Sequence, residues 1–225
     1  MIPPIIETWW NRIAALHDPG AFAALASAYG DPARGYHDWT HIEDLLGKLD
    51  QLTHLATRVD LIAAAIFWHD SVFVTDMGAG RARPDADNVR DSAALFRAHS
   101  RFDAVGSRAI EEMILATAGH LTAVAPDDPP YAEFPRDLAL FLDLDLSSLG
   151  APWEVFWRNF GRIRAEYPFI AERDFLQSRR AGLRSFAAGG ATLFRLEETR
   201  ELWLPAALEN CRRADETIGG LLTKG

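Results

Sequence analysis

The sequence predicts an all-α fold, and three observations support this prediction. Apolar residues recur at helical spacing along the chain, as at Ile42, Leu45 and Leu49. Breaks that contain Gly and Pro, such as Asp18-Pro19-Gly20, separate these segments. No segment shows the alternating pattern of a half-buried strand. The chain of 225 residues, 48% hydrophobic and 24% charged, can form one well-filled core, so we expect a single domain over residues 1–225.

Six helices are predicted in the first half of the chain. They cover approximately residues 4–16, 22–29, 41–52, 61–70, 88–99 and 103–117. Pro4 occupies a tolerated first-turn position, and either Asp38 or Thr40 could cap the third helix. Asp87-Asn88 has the composition of a cap for the fifth helix. The sixth helix places Glu111-Glu112 opposite its apolar face, as expected for a helix that packs on one side.

Four further helices are predicted in the second half. They cover approximately residues 138–146, 152–167, 172–187 and 197–222. The first of them is a short apolar run that closes on Asp143 and Asp145. Pro168 and Gly189-Gly190 separate the other three, because neither residue type favours the interior of a helix.

The helix over residues 61–70 ends abruptly on the pair His69-Asp70. Because this helix is apolar nearly all round, we expect it and its end to be buried. A buried, ionised Asp needs a cation, strong hydrogen bonds or access to water. Taken alone, the pair is explained more simply by a His that caps helix carbonyls beside a solvated Asp.

Other polar residues change that interpretation. His41 lies in the first turn of its predicted helix, and Asp145 follows the apolar run near residue 140. Together with His69-Asp70 they supply two imidazoles and two carboxylates, a ligand set that suits a divalent ion such as Mn²⁺, Ni²⁺, Co²⁺, Fe²⁺, Mg²⁺ or Zn²⁺. Four protein ligands on a six-coordinate ion leave positions for water and substrate, as a hydrolytic site requires.

Composition excludes several classes of partner. The net charge of −9 and the lack of a clustered basic run argue against nucleic acid. The single Cys211 excludes an intrachain disulfide framework and a cysteine-based zinc cluster. The N-terminus lacks the pattern of a signal peptide, and no charge-free segment reaches the length of about 18 residues that a membrane span needs. We therefore expect a cytoplasmic protein without a membrane partner, and a homodimer remains open.

Five stretches of the chain form a recognisable series. They are Tyr36-His37-x-x-x-His41, Phe67-Trp68-His69-Asp70-x-Val72-Phe73, Asp87-Asn88-x-x-x-Ser92-Ala93, Leu142-Asp143-x-Asp145-Leu146-Ser147-x-Leu149-Gly150 and Ile163-Arg164-x-Glu166-Tyr167. In this order they resemble the HD-domain superfamily of metal-dependent phosphohydrolases, and more narrowly the small bacterial proteins called predicted metal-dependent HD-superfamily hydrolases. The resemblance runs over residues 36–184. It implies an HD-type helical bundle with a motif core over residues 36–150, on which the helices of residues 151–225 pack.

The resemblance also implies roles for individual residues. The expected metal ligands are His41, His69, Asp70 and Asp145, the last favoured over Asp143 because of its place before a Leu-containing helix start. Asp143 would then support the ligands. The implied activity is hydrolysis of a small phosphate ester, which includes nucleotides, by an enzyme that uses a divalent metal ion.

Contacts to the substrate are assigned more broadly. The histidines His37 and His120 are candidates for contact with the phosphate or for binding a second ion. Of the arginines in the last third of the chain, Arg164 and Arg180 are candidates to face a phosphate.

One departure from the family pattern opens two alternatives. Relatives read Asp-Asn-Glu where this chain has Asp87-Asn88-Val89, so the Glu that would act as general acid is missing. Asp76, Asp85 or Asp87 could replace it, with Asp70 as the other catalytic carboxylate. Val89 also fits a non-catalytic metal- and ligand-binding scaffold. A two-iron oxygenase of HD type would need further His ligands, for which His37 and His120 are the candidates.

Overall fold

The computed structural model describes residues 2–119 and 134–223. In this part of the chain the backbone forms ten α-helices joined by loops and short 3-10 turns. The helices are α1 (Pro4–Ile13), α2 (Ala21–Tyr29), α3 (Trp39–Leu52), α4 (Val59–Trp68), α5 (Asp85–His99), α6 (Ala104–Ala116), α7 (Pro135–Leu146), α8 (Trp153–Ala165), α9 (Glu172–Gly189) and α10 (Glu197–Leu222). The described residues contain two isolated β-bridges and no strand, which confirms the prediction of an all-α fold.

The starts of the helices follow local hydrogen bonds. Asp38 caps α3, because its carboxylate accepts the backbone N–H of Thr40 at 2.9 Å. The predicted cap of α5 at Asp87-Asn88 is wrong, since that helix begins at Asp85 after Pro84. Asn88 instead lies inside α5, where its amide group exchanges two hydrogen bonds with the backbone of Val74. The loop before α5 is therefore tied to the helix that follows it.

Helix α4 lies at the centre of the larger group of buried residues, as predicted from its composition. Each of its residues from Leu61 to Trp68 is buried, and the helix packs against α1, α3, α5, α6 and α7. Because the helix is surrounded on all sides, the chain that leaves it at His69 is still inside the protein, and His69 is only 2% exposed. The central position of α4 thus explains how an imidazole comes to be buried there.

The last three helices form a second group of buried residues. Its apolar members include Phe156 and Phe160 of α8, Leu183 of α9 and Cys211 of α10. Trp203 of α10 contacts both groups of buried residues. The backbone at Gly150 lies close to the backbone of Trp203. Only a glycine fits there, because a Cβ atom at position 150 would lie 2.7 Å from the Trp203 carbonyl oxygen.

Helix α7 is joined to the start of α10 by the buried carboxylate of Asp143. Asp143 is fully buried and accepts hydrogen bonds from the backbone N–H groups of Arg195 and Leu196 and from the Thr199 hydroxyl. These donors lie at the start of α10. Asp143 therefore provides the cap that the sequence around Leu196 lacks.

A membrane-spanning helix is not found in the described part of the chain, where none combines the required length with sufficient hydropathy.

Candidate metal centre

Four side chains from three helix ends meet at one point. His41 lies in the first turn of α3, His69 directly follows α4, and Asp145 lies in the last turn of α7. The Nε2 atoms of His41 and His69 are 3.3 Å apart. Asp70 Oδ2 lies 3.0 Å from His69 Nε2 and 3.7 Å from His41 Nε2. Asp145 Oδ1 lies 3.4 Å from His41 Nε2 and 3.6 Å from His69 Nε2.

These distances fit a shared metal ion. Two donors bound to one divalent ion at about 2.1 Å are separated by about 3.0 to 3.4 Å in octahedral or tetrahedral geometry. His41, His69 and Asp70 can each offer one ligand atom, and the three atoms lie within 4.8 Å of one another. Nitrogen and carboxylate oxygen donors of this kind bind several divalent ions. The cluster can therefore hold a metal ion, and its donor types leave the identity of that ion open.

The backbone orients one of the two imidazoles. His69 Nδ1 lies 3.0 Å from the carbonyl oxygen of Ile66, so it carries the proton and donates to that oxygen. This tautomer leaves the lone pair on Nε2, which faces the other three side chains. A metal-binding histidine usually has such support from a carbonyl or carboxylate. His41 Nδ1, in contrast, is buried without a hydrogen-bond partner among the described residues.

The charges of the cluster favour a cation at its centre. Burial alone would lower the pKa of His69, but the nearby Asp70 and Asp145 outweigh it and raise that pKa well above its usual value. Burial alone would raise the pKa of Asp70, but the imidazoles of His69, His37 and His41 hold it well below its usual range. The carboxylates therefore stabilise positive charge between the imidazoles, whether a proton or a metal ion carries it.

A further histidine, paired with a carboxylate, lies beside the cluster. His37 Nδ1 is 2.8 Å from Glu166 Oε2, and Glu166 Oε1 accepts the backbone N–H groups of Tyr36 and His37. The ring of Phe73 stacks on His37 with centroids 4.0 Å apart. Burial alone would lower the pKa of His37, but Asp70 and Glu166 outweigh this effect and raise it. Glu166 thus fixes His37 so that its Nε2 atom remains for a ligand.

Asp143 and Asp145 face in different directions. Two residues along an α-helix correspond to a rotation of about 200°, so only one of the two carboxylates can reach the cluster. Asp145 does so, whereas Asp143 points to the start of α10. The expected supporting role of Asp143 beside the ligands is therefore wrong, because its carboxylate is used by another helix.

Three of the four cluster residues line a cavity of about 620 Å³. This volume is typical of a small-molecule site. His37, His41, Asp70 and Asp145 contribute to its wall, together with residues of α8 and α9. Val89 also lines the cavity and is 3% exposed. The cavity therefore has an apolar side chain at the position where the family that the sequence resembles has a Glu.

The other predicted carboxylates differ in their distance from the cavity. Asp76 is exposed and accepts the N–H of Gly78, and Asp87 pairs with Arg90 on the surface of α5. Neither residue lines the cavity, whereas Asp85 does. The prediction for His120 stays untested, because that residue lies outside the described residues.

The two predicted arginines are engaged in other contacts. The Arg164 guanidinium donates to the carbonyl oxygens of Tyr167 and Ile170. The Arg180 guanidinium pairs with Asp215 of α10 at 2.6 Å. The structure therefore does not bring Arg164 or Arg180 to the cavity, where Arg179 is found instead.

Arg34 holds the two histidine segments together, a role that the sequence did not suggest. Its guanidinium donates to the carbonyl oxygens of Asp70 at 2.7 Å, Ser71 at 3.1 Å and His37 at 3.2 Å. No motif marks such a residue, because its partners are backbone atoms that become neighbours only in the fold. Arg34 thus sets the position of Asp70 relative to His37.

We expect Arg34→Met to lower the free energy of unfolding by about 2–3 kcal/mol, because three buried or partly buried carbonyl groups lose a charged donor. Metal affinity should fall by about 10- to 100-fold, since the Asp70 backbone is no longer held. Urea unfolding of the metal-free protein and titration with Mn²⁺ measure the two effects. Arg97→Met is the control, because Arg97 forms an exposed pair with Glu111 that contributes little. Equal behaviour of the two variants would contradict the role of Arg34.

Comparison of the chain with known protein families and with curated proteins finds no match.

Proposed function

We propose that the protein is a metal-dependent hydrolase of small phosphate esters, with an HD-type site. The observation that carries the proposal is the convergence of His41, His69, Asp70 and Asp145 beside a cavity large enough for a small molecule. The two imidazoles and two carboxylates occur in the order of the family that the sequence resembles. A helical scaffold with a His-His-Asp cluster is compatible with that family.

The proposed chemistry divides between the ion and the protein. Divalent ions in sites of this kind activate a water molecule near neutral pH and polarise a phosphoryl oxygen. His41, His69, Asp70 and Asp145 would hold the ion. The walls of the cavity would orient the ester so that its phosphoryl group lies against the cluster.

His37 is the proposed proton donor to the leaving group. Its Nδ1 atom is bound to Glu166 and its ring lines the cavity, so a proton on Nε2 can reach the departing oxygen of an ester bound there. In this role His37 would take the place of the general-acid Glu, whose position is occupied by Val89 in this chain. Asp76 and Asp87, which lie away from the cavity, are no longer needed for it.

Phosphate release from generic esters, with added Mn²⁺ or Ni²⁺, tests the proposal. His37→Gln should lower kcat by about 100-fold or more, because the leaving oxygen loses its proton donor. Its metal content should stay unchanged, since His37 is not among the proposed ligands. His54→Gln is the matched control, because His54 is exposed in the turn after α3. Metal-loaded protein that hydrolyses none of a broad set of esters would refute the proposal.

Val89 favours a second candidate, a metal-containing module that binds its ligand without turnover. The cavity presents a buried apolar side chain where a general acid is expected. Saturable binding of a nucleotide by protein that shows no hydrolysis would support this candidate. Turnover that depends on His37 would exclude it.

A further inference from the structure

One guanidinium in the wall of the cavity forms no hydrogen bond or ion pair within residues 2–119 and 134–223. Arg179 lies on α9 and lines the same cavity as the metal cluster. Its Nε atom is buried, and the side chain makes no hydrogen bond or ion pair with the residues that the structure describes. Burial lowers the pKa of the Arg179 guanidinium below its usual value. A positive charge in this environment is unfavourable unless an anion accompanies it.

Neighbouring arginines are satisfied, which makes Arg179 distinctive. Arg180 and Arg184, on the same helix, share Asp215 of α10. Arg162 of α8 pairs with Asp38. Arg179 precedes Arg180 by one residue, a rotation of about 100° around α9, and lines the cavity instead.

Apolar side chains form much of the cavity wall, which also contains polar residues such as Asp174 and Ser178 of α9. Its apolar side chains come from the loop after α4 and from helices α5, α8 and α9 with the loop between the last two. They include Phe73, Val89, Ile163, Ile170, Phe175 and Phe186. Surfaces of this kind gain free energy when they cover apolar or aromatic parts of a ligand.

We propose that Arg179 binds the anionic group of a small ligand whose remaining part is apolar or aromatic. The proposal rests on the function proposed above, in that the ligand is then a phosphate ester with such a body. A guanidinium can donate two parallel hydrogen bonds to a phosphoryl group. It also supplies positive charge to a cavity whose wall contains the carboxylates of Asp70 and Asp145, which would repel the phosphoryl oxygens.

Calorimetric titration of the Mn²⁺-loaded protein with phenylphosphonate, which carries no ester bond to hydrolyse, tests the proposal. Arg179→Met should weaken binding by about 10- to 100-fold, because charged hydrogen bonds to the anion are lost. Arg179→Lys should weaken it less, since the charge remains. Arg184→Met is the control on the same helix and should bind as the unchanged protein does. Methylphosphonate should bind about 10-fold more weakly than phenylphosphonate, because it lacks the apolar ring.

The fold of the variant is checked separately by thermal unfolding. Arg179→Met should be at least as stable as the unchanged protein, because a partly buried charge that has no ion-pair partner among the described residues is removed. Equal affinity of the unchanged protein and Arg179→Met for phenylphosphonate would overturn the role of Arg179. Equal affinity for methylphosphonate and phenylphosphonate would overturn the apolar body of the ligand.

Turnover of phenyl phosphate, measured on the same preparations, separates this inference from the proposed function. Turnover with a KM that is the same in Arg179→Met would overturn the inference and leave the hydrolase proposal standing. Binding of phenylphosphonate that depends on Arg179, without turnover of any ester, would support the binding role of Arg179 and refute the hydrolase proposal.

Discussion

Replacing Asp70 with Asn is expected to lower metal affinity by at least about 100-fold and to abolish metal-dependent hydrolysis. The amide keeps the shape of the side chain but removes the negative charge that faces both imidazoles. Loss of a residue that only supports a ligand already costs 10- to 100-fold in affinity, so loss of a charged ligand should cost more. Elemental analysis after loading with Mn²⁺ or Ni²⁺ and gel filtration measures the bound metal.

Asp50→Asn is the matched control for this change. Asp50 is exposed near the end of α3 and far along the helix from His41, so its variant should retain metal. Unchanged metal affinity of the Asp70→Asn protein would show that the ion binds elsewhere. The proposed hydrolase site would then be untenable.

The neighbouring carboxylates of α7 should respond in opposite ways to the same substitution. Asp143→Asn should lower the free energy of unfolding by about 2–4 kcal/mol, because the buried donors of Arg195, Leu196 and Thr199 lose a charged acceptor. Metal affinity should stay nearly constant. Asp145→Asn should weaken metal binding by at least about 10-fold, while the stability of the metal-free protein changes by less than about 1 kcal/mol.

Two measurements on each variant are sufficient for this comparison. Urea unfolding of the metal-free protein reports the structural role, and Mn²⁺ titration reports the ligand role. Because the variants differ by two positions in one helix and carry the same chemical change, each serves as the control for the other. The reverse pattern, with metal lost in Asp143→Asn, would show that the ligand has been assigned to the wrong carboxylate.

The sequence predicted those features that depend on local pattern. The apolar run that ends at His69-Asp70 predicted a buried central helix, and α4 is such a helix. The boundary of α5 was harder, because both Asp85 and Asp87 are acidic residues suited to a first turn. Local composition could not decide between them.

Contacts that form only in the fold were beyond the reach of the sequence. Arg179 and Arg180 are adjacent and chemically identical, and only the rotation of α9 directs one to the cavity and the other to Asp215. Arg34 binds backbone carbonyl groups. Every residue has such a group, so the sequence does not reveal these partners. Side-chain direction and backbone partners therefore account for most of what the sequence left open.

Helix α7 carries three carboxylates that contact three different parts of the protein. Asp137 accepts the N–H groups of Thr57 and Arg58 just before α4, Asp143 serves the start of α10, and Asp145 reaches His41. One inserted or deleted residue between Asp137 and Asp143 would turn the later two by about 100° relative to the first. The length of this helix is thus constrained at every step, and natural variation in chain length should accumulate in the surface loops instead.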